Sequence, residues 1–367
     1  MKRYLELDVV RGFLLVLMVI NHSPSPLRRF TEGPFGFFST AEAFVFISAL
    51  LAGLLFERRS EQQGFSAARA ATLRRALRIY QAHIITTLSV FLLSIAFLAE
   101  VPGIRQMLQP FLDNPRSAVL GSLALLFQPP LLDILPMYVL FSLLTPLAFW
   151  AAKRTGWGSV FFASLAIWLF SQFRVWDQIN SAGSGLRFVH LGPFDLFSWQ
   201  LLWIGGLLFG RSLALQKPVF QPTRSVEFLL LLLASGFLIW RWAAIMFAPD
   251  PSNFWFFDKW HLGPLRVLNF FVAAWSIAKL MPMVRRRAGH LAAFSMVGRN
   301  MLPVFSAQIG ISVLLLAYMS VRHHQIELAA TILVLLQVAS IFAFGWLCDR
   351  LLRPKPVVLS PSLAPSS

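Results

Sequence analysis

A single cysteine, Cys348, in 367 residues leaves no intrachain disulfide to build on, and it leaves the redox compartment open. Charge is scarce as well. Asp, Glu, Lys and Arg make up 13% of the chain against 57% hydrophobic residues, too little polarity to cover a soluble fold of this length. Several catalytic signatures are missing. There is no G-x-S-x-G elbow, no Walker loop and no G-x-G-x-x-G between a strand and a helix, so ATP-driven and Rossmann chemistry have no support. His83, His190, His290, His323 and His324 lack acidic or cysteine partners at ligand spacing, and no metal is expected. No internal repeat is visible, which counts against a transporter made of inverted halves.

What the chain does have is apolar length. It holds 36 Phe and 12 Trp, and apolar runs approaching the ~20 residues that cross a bilayer as a helix recur along it. The runs lack period-2 alternation, which excludes a barrel. The pattern predicts an all-α, polytopic integral membrane protein with about ten transmembrane helices, near 8–23, 38–56, 80–99, 131–151, 158–173, 195–211, 226–247, 264–281, 300–320 and 326–348. Residues 1–350 read as one transmembrane domain and the Pro- and Ser-rich 351–367 as a disordered cytoplasmic tail.

The net charge of +16 suggests nucleic acid at first sight. Its distribution does not. Of the 32 Lys and Arg, 22 fall on one set of alternating loops and 9 on the other, with Arg241 inside a span. That is the positive-inside bias, and it predicts cytoplasmic termini and no nucleic-acid partner. Lys2 and Arg3 before an apolar stretch imitate a signal peptide. Asp8 and Arg11 interrupt it and no small-residue cleavage site follows His22, so the segment reads as a retained first helix. Residues 58–78, with Arg69, Arg74, Arg75 and Arg78, read as an amphipathic helix on anionic lipid at the cytoplasmic surface. Segment 117–127 is too short to span and reads as re-entrant or interfacial.

The first span carries the most chemistry. Eleven steps separate Arg11 from His22, roughly three turns, so the two share one helix face about 16 Å apart. Asp8 can pair with Arg11 at i−3. Ionisable groups inside a membrane helix are costly and tend to face a polar cavity or a partner. A guanidinium forks onto phosphate, whereas an imidazole can act as general base near neutral pH. Anion grip at one end and base at the other suit a long ligand with phosphate at one end and a reactive tip, the shape of acyl-coenzyme A. Asn21 beside His22 could help hold an oxygen. Glu42, at the same depth in the second span, could orient the imidazole or bind hydroxyls. At the non-cytoplasmic level lie Asp133, Tyr138, Asp195, Trp199, Gln200, Asp258, Lys259, His261 and Arg266. They form a polar and aromatic rim that fits a carbohydrate as well as an interfacial belt. Arg299 and Asn300 begin the ninth span on the cytoplasmic side, where helix amides could meet phosphate or merely cap the helix.

Seven blocks in fixed order carry a resemblance. They are Leu5–Gly12 (LELDVVRG), Asn21-His22, Ala41–Ser48 (AEAFVFIS), Leu135–Phe141 (LPMYVLF), Trp199–Gly210 (WQLLWIGGLLFG), Asp258-Lys259 with Pro264-Leu265-Arg266, and Gly298–Phe305 (GRNMLPVF). Over residues 5–350 the chain resembles the OpgC family, within the acyltransferase-3-like transmembrane acyltransferases. Ala49 after Ser48 departs from the glycine expected there. The resemblance implies a bacterial inner-membrane enzyme that moves an acyl group, succinyl favoured over acetyl, from cytoplasmic acyl-CoA to a hydroxyl of a periplasmic glucan or other carbohydrate. It implies His22 as base, with Asn21 and Glu42 assisting. Arg11, Asp8, Arg299 and Asn300 would serve the coenzyme A side. Asp258, Lys259, Trp199, Gln200, Asp195 and Tyr138 would serve the acceptor side. A succinyl pocket needs a cation at its tip, and Lys259 and Arg266 are the candidates. Membrane lipid, acyl-CoA and the glucan are the expected partners, with no permanently bound cofactor, and a homo-oligomer is compatible with the sequence. A glycan or lipid-intermediate transporter or flippase is the competing function, and a non-catalytic partner in glycan synthesis is a third.

Overall fold

All ten expected spans coincide with helices. In the computed structural model these are α1 (Leu5–Asn21), α2 (Thr40–Gln63), α3 (Phe65–Leu93), α4 (Ile134–Thr155), α5 (Trp157–Ser171), α6 (Leu196–Leu215), α7 (Arg224–Phe247), α8 (Pro264–Arg286), α9 (Met301–Val321) and α10 (Glu327–Leu352). The structure describes residues 4–352 except 24, 184, 187–188, 248–253, 288 and 322–326. His323, His324 and residues 353–367 of the tail expected over 351–367 lie outside the described residues, while 351 and 352 close α10. No strand occurs among those described. The chain is an all-α polytopic membrane protein.

Seven helices are long and apolar enough to cross a bilayer, or eight if α5 is joined to the short helix Val175–Gly183, from which it is bent by 63°. The remaining two of the ten differ for a physical reason. α1 has 17 residues and carries Asp8 and Arg11. α6 contains Ser198, Trp199, Gln200 and Trp203, all buried inside the protein. Helices enclosed by other helices do not need a fully apolar surface. The buried indoles of α6 find partners, Trp203 donating to Thr145 Oγ1 at 3.0 Å.

The basic segment 58–78 is not a separate surface helix, contrary to expectation. α2 runs through Arg58 to Gln63, Gly64 reverses the chain at φ 85°, and α3 starts at once at Phe65. α3 is 29 residues long, about 43 Å at 1.5 Å per residue, so it outruns a ~30 Å hydrocarbon core. Its amphipathic first half is the projecting end of a long helix. Segment 117–127 is led by a nine-residue helix, Pro115–Leu123, too short to span.

Two crossings bring backbones into contact. On α6, a Cβ at Gly210 would lie 1.9 Å from the Leu50 carbonyl oxygen of α2. At the second, a Cβ at Gly298, in the short helix Ala292–Arg299, would lie 1.9 Å from the Asp8 oxygen, and one at Gly12 would lie 2.0 Å from that of Phe294. Only glycine permits such approaches between helices. Gly298→Ala is therefore expected to cost about 1–3 kcal/mol through overpacking. Gly236→Ala on α7, where a Cβ meets open space, should leave the melting temperature of the detergent-purified protein unchanged. Equal melting curves for both variants would refute the close crossing.

Candidate functional site

α1 packs against α2, α8, α9, α10 and the Ala292–Arg299 helix, and a cavity opens at each end of its polar face. "Inner" here denotes the end carrying the basic clusters. The inner cavity, about 230 Å³, is lined by Arg11, Ser48, Arg75, Arg78, Tyr138 and Met301, among others. The outer cavity, about 750 Å³, takes in Asn21, His22, Glu32, Asp133, Lys259 and Arg266. Met18 and Ile134 line both, so a single layer of side chains divides them. Met18 lies seven residues from Arg11 and four from His22, on their shared face.

Positive charge dominates the inner cavity. Arg11 Nη1 lies 3.6 Å from Asp8 Oδ1, and its Nη2 lies 3.4 Å from Met301 Sδ. Arg75 and Arg78 join it from α3, three residues apart on one face. Neither was expected in the site; only their surface role was. The signal available in the sequence was the i, i+3 spacing at the cytoplasmic depth of Arg11.

His22 caps the outer end of α1. Among the described residues its ring has one hydrogen-bond partner, the Gln308 amide on α9, with Nε2 3.2 Å from His22 Nδ1. Gln308 in turn reaches Ser312 Oγ at 3.4 Å. Gln337 of α10 donates to the same hydroxyl at 2.7 Å and accepts from Ser23 Oγ at 2.8 Å. This relay was missed by sequence reasoning. Polar residues four apart inside an apolar span, Gln308 and Ser312, were the available sign.

Glu42 does not orient His22. It is fully buried, and its carboxylate accepts from the Ser39 amide (3.0 Å), the Ser39 hydroxyl (2.6 Å) and the Arg266 guanidinium. Ser39 and Glu42 form a reciprocal capping box at the start of α2. Asn21 is tied to Thr31, donating to its carbonyl at 3.2 Å and accepting from its hydroxyl at 2.6 Å.

A loop over residues 254–263 forms one wall of the outer cavity and is fixed through its carbonyls. Arg266 donates to Phe257 O (3.2 Å), Trp199 to Trp260 O (2.9 Å), Gln172 to His261 O (2.8 Å) and Trp168 to Leu262 O (2.9 Å). Phe257 stacks on Phe37 with centroids 4.2 Å apart. Trp199 thus shapes the cavity from behind without lining it. Other expected site residues stand elsewhere. Asp195 caps α6, accepting from the Phe197 amide at 2.8 Å, and Gln200 accepts from the Ser164 hydroxyl at 2.6 Å. Tyr138 lines the inner cavity and not the outer. Arg299 and Asn300 bond Asp349 of α10 at 3.2 and 2.7 Å, and neither lines the inner or the outer cavity.

The family model described as OpgC protein matches residues 3–353. The chain belongs to the OpgC family. No curated protein and no solved structure matches it. OpgC membership points to a membrane acyltransferase of the glucan-succinyltransferase type.

In this OpgC chain an ionic clamp secures the outer loop. His261 Nδ1 lies 3.1 Å from Asp258 Oδ2 and its Nε2 lies 3.1 Å from Asp177 Oδ1. Arg174 reaches Asp258 at 2.9 Å and Asp177 at 3.6 Å. Burial works against a charged His261. The Asp258 hydrogen bond and the Asp258 and Asp177 charges outweigh burial and Arg174, so its pKa is raised. Burial also works against the Asp258 carboxylate, yet the His261 hydrogen bond and the Trp260 amide hold it at about 2. Because the folded His261 pKa exceeds the unfolded one, its contribution is complete below about pH 6.5 and is lost as pH rises through the raised value. The melting temperature should therefore fall between pH 6 and pH 8.5 by more in the native chain than in His261→Gln. Parallel pH dependences would show that the clamp is not titrating.

Proposed function

We propose that the chain is an integral O-acyltransferase of the bacterial inner membrane, with cytoplasmic termini, that moves an acyl group, succinyl by preference, from cytoplasmic acyl-CoA to a glucan hydroxyl on the far side. The observation that carries this reading is the pair of cavities on one face of α1, cationic at one end and histidine-bearing at the other, sharing the wall of Met18 and Ile134. Arg11, Arg75 and Arg78 are suited to the coenzyme A phosphates, since guanidinium groups bind phosphate bidentately. The pantetheine arm would then bring the thioester past Met18 to His22.

In the proposed step His22 removes the proton of the acceptor hydroxyl. That oxygen attacks the thioester carbonyl, the carbon–sulfur bond breaks, and the imidazolium returns its proton to the departing thiolate. An acyl-histidine intermediate is the covalent alternative. The outer cavity, with Trp260, Phe37 and Phe38 beside polar groups, suits a sugar that stacks on rings and meets hydrogen-bonding side chains.

The test uses the full chain in proteoliposomes, with labelled succinyl-CoA on one side and glucan on the other. His22→Ala should insert and melt normally yet lose acyl transfer by at least about 100-fold, the lower range of acid–base catalysis. Full activity in that variant would sink the reading, as would glucan transport without CoA release.

Gln308 enters the same step as a positioning residue. Its Oε1 is buried without a hydrogen-bond partner, and half a turn of the amide brings that oxygen to His22 Nδ1. The proton then rests on Nδ1 and the Nε2 lone pair is open to the hydroxyl. Gln308→Leu should lower kcat about tenfold or more while the donor KM stays constant. A change confined to KM would assign Gln308 to binding instead.

A further inference from the structure

The outer cavity is lined by four cations, and they are not equivalent. Arg28 pairs with Glu32 at 3.0 Å. Arg266 pairs with buried Glu42. Arg241 donates to the Glu32 carbonyl at 2.9 Å. Lys259 alone of these has neither a carboxylate within ion-pair distance nor a hydrogen bond among the described residues; its ammonium lies 4.7 Å from the centroid of the adjacent Trp260 ring. Three carboxylates act on it from farther off, Glu42, Glu32 and Asp133; the first two are already paired, and Asp133, across the same cavity, makes no ion pair with it within 4 Å. A half-buried ammonium with no carboxylate in contact among the described residues is poised for an anionic ligand.

Position adds to charge. Lys259 stands between Asp258, clamped by Arg174 and His261, and Trp260, whose carbonyl is held by Trp199. The ammonium is thus offered from a fixed backbone, which lowers the ordering cost of binding. Lys259 and Arg28 are the charges acting on His22 in the same cavity. A neutral glucan presents no charge that would call for an uncompensated cation. An acyl group ending in a carboxylate does.

We infer that Lys259 binds the distal carboxylate of a dicarboxylic acyl group while its thioester lies at His22, and so selects a succinyl-type donor over an acetyl one. This rests on the acyl-transfer reading above and names the residue that sets its donor specificity. Arg266, the other cation open to this role from sequence, is committed to Glu42.

The experiment measures binding of the thioether analogues of succinyl-CoA and acetyl-CoA to the detergent-purified full chain, alongside transfer in proteoliposomes. A charge-assisted contact predicts that the native protein prefers the succinyl analogue about tenfold or more. Lys259→Met should bring the two affinities together, and Lys259→Arg should restore most of the preference. Transfer should follow, with the succinyl-to-acetyl ratio of kcat/KM collapsing in Lys259→Met. No preference in the native chain, or an unchanged preference in Lys259→Met, overturns the assignment. Equal loss of both donors, with the ratio kept, overturns it too, because it marks a structural role. A binding preference that depends on Lys259 in a protein that forms no acyl product would support the carboxylate site while refuting acyl transfer.

Discussion

The outer half of the molecule is organised around one buried ion pair, Glu42 with Arg266. Glu42 closes the first turn of α2 through Ser39, while Arg266 on the first turn of α8 extends to the carbonyl of Phe257. One carboxylate therefore joins a helix start, a second helix and the loop that carries Lys259. Two charges withdrawn from water survive only when their remaining hydrogen-bonding capacity is satisfied, and removing one partner of such a pair costs about 3–5 kcal/mol. Here Ser39 supplies two donors and Phe257 an acceptor. The pair gives a rigid rim and consumes a carboxylate and a guanidinium that would otherwise compete for substrate. On the proposed reading, this leaves His22 for chemistry and Lys259 for recognition.

A membrane enzyme that serves two compartments has a barrier problem. Its donor and acceptor arrive from opposite sides, and a continuous aqueous path would leak ions. On the proposed reading, Met18 and Ile134, which line both cavities, answer both demands. Met is unbranched and adaptable, so it can yield to a slender chain and close behind it. The glycine crossing with the Ala292–Arg299 helix fixes α1 at Gly12, roughly a quarter turn from the face of Arg11, Met18 and His22, so movement at Met18 need not displace Arg11 or His22. The GRN block of the sequence has a structural use at this crossing. Gly298 is used up in backbone contact, and Arg299 and Asn300 tie that helix to Asp349 on α10.

The ten helices were legible because bilayer thickness imposes a length on most of these apolar runs, seven or eight of which are long and apolar enough to cross. The first-helix set was legible because charge inside such a run demands an explanation. Reading failed where one pattern serves two purposes. Arg75 and Arg78 lie in an amphipathic stretch, and amphipathicity alone does not distinguish a helix lying on lipid from the end of a long helix facing a cavity. Glu42 looked catalytic from its depth, although Ser39 three residues earlier already spelled a capping box. Gln308, Ser312 and Gln337 were overlooked because uncharged polar residues are cheap enough in a span to pass without comment. Their meaning emerges only when α1, α9 and α10 are brought together.

The relay behind His22 is neutral, and that fits the demands of the reaction. In hydrolytic triads a carboxylate behind the histidine stabilises the imidazolium formed when the nucleophile loses its proton. Transfer to a sugar hydroxyl from a thioester is an exchange of one leaving oxygen or sulfur for another. The proton taken from the hydroxyl is needed moments later by the thiolate. A glutamine holds the ring in register and selects a tautomer without lending the imidazolium a counter-charge. In the proposed step, Lys259 and Arg28, charges that act on His22, would favour the developing oxyanion of the acceptor instead. On the proposed reading, the cations of the outer cavity favour the negative charge that forms on acyl transfer and would receive a carboxylate at the end of the acyl group.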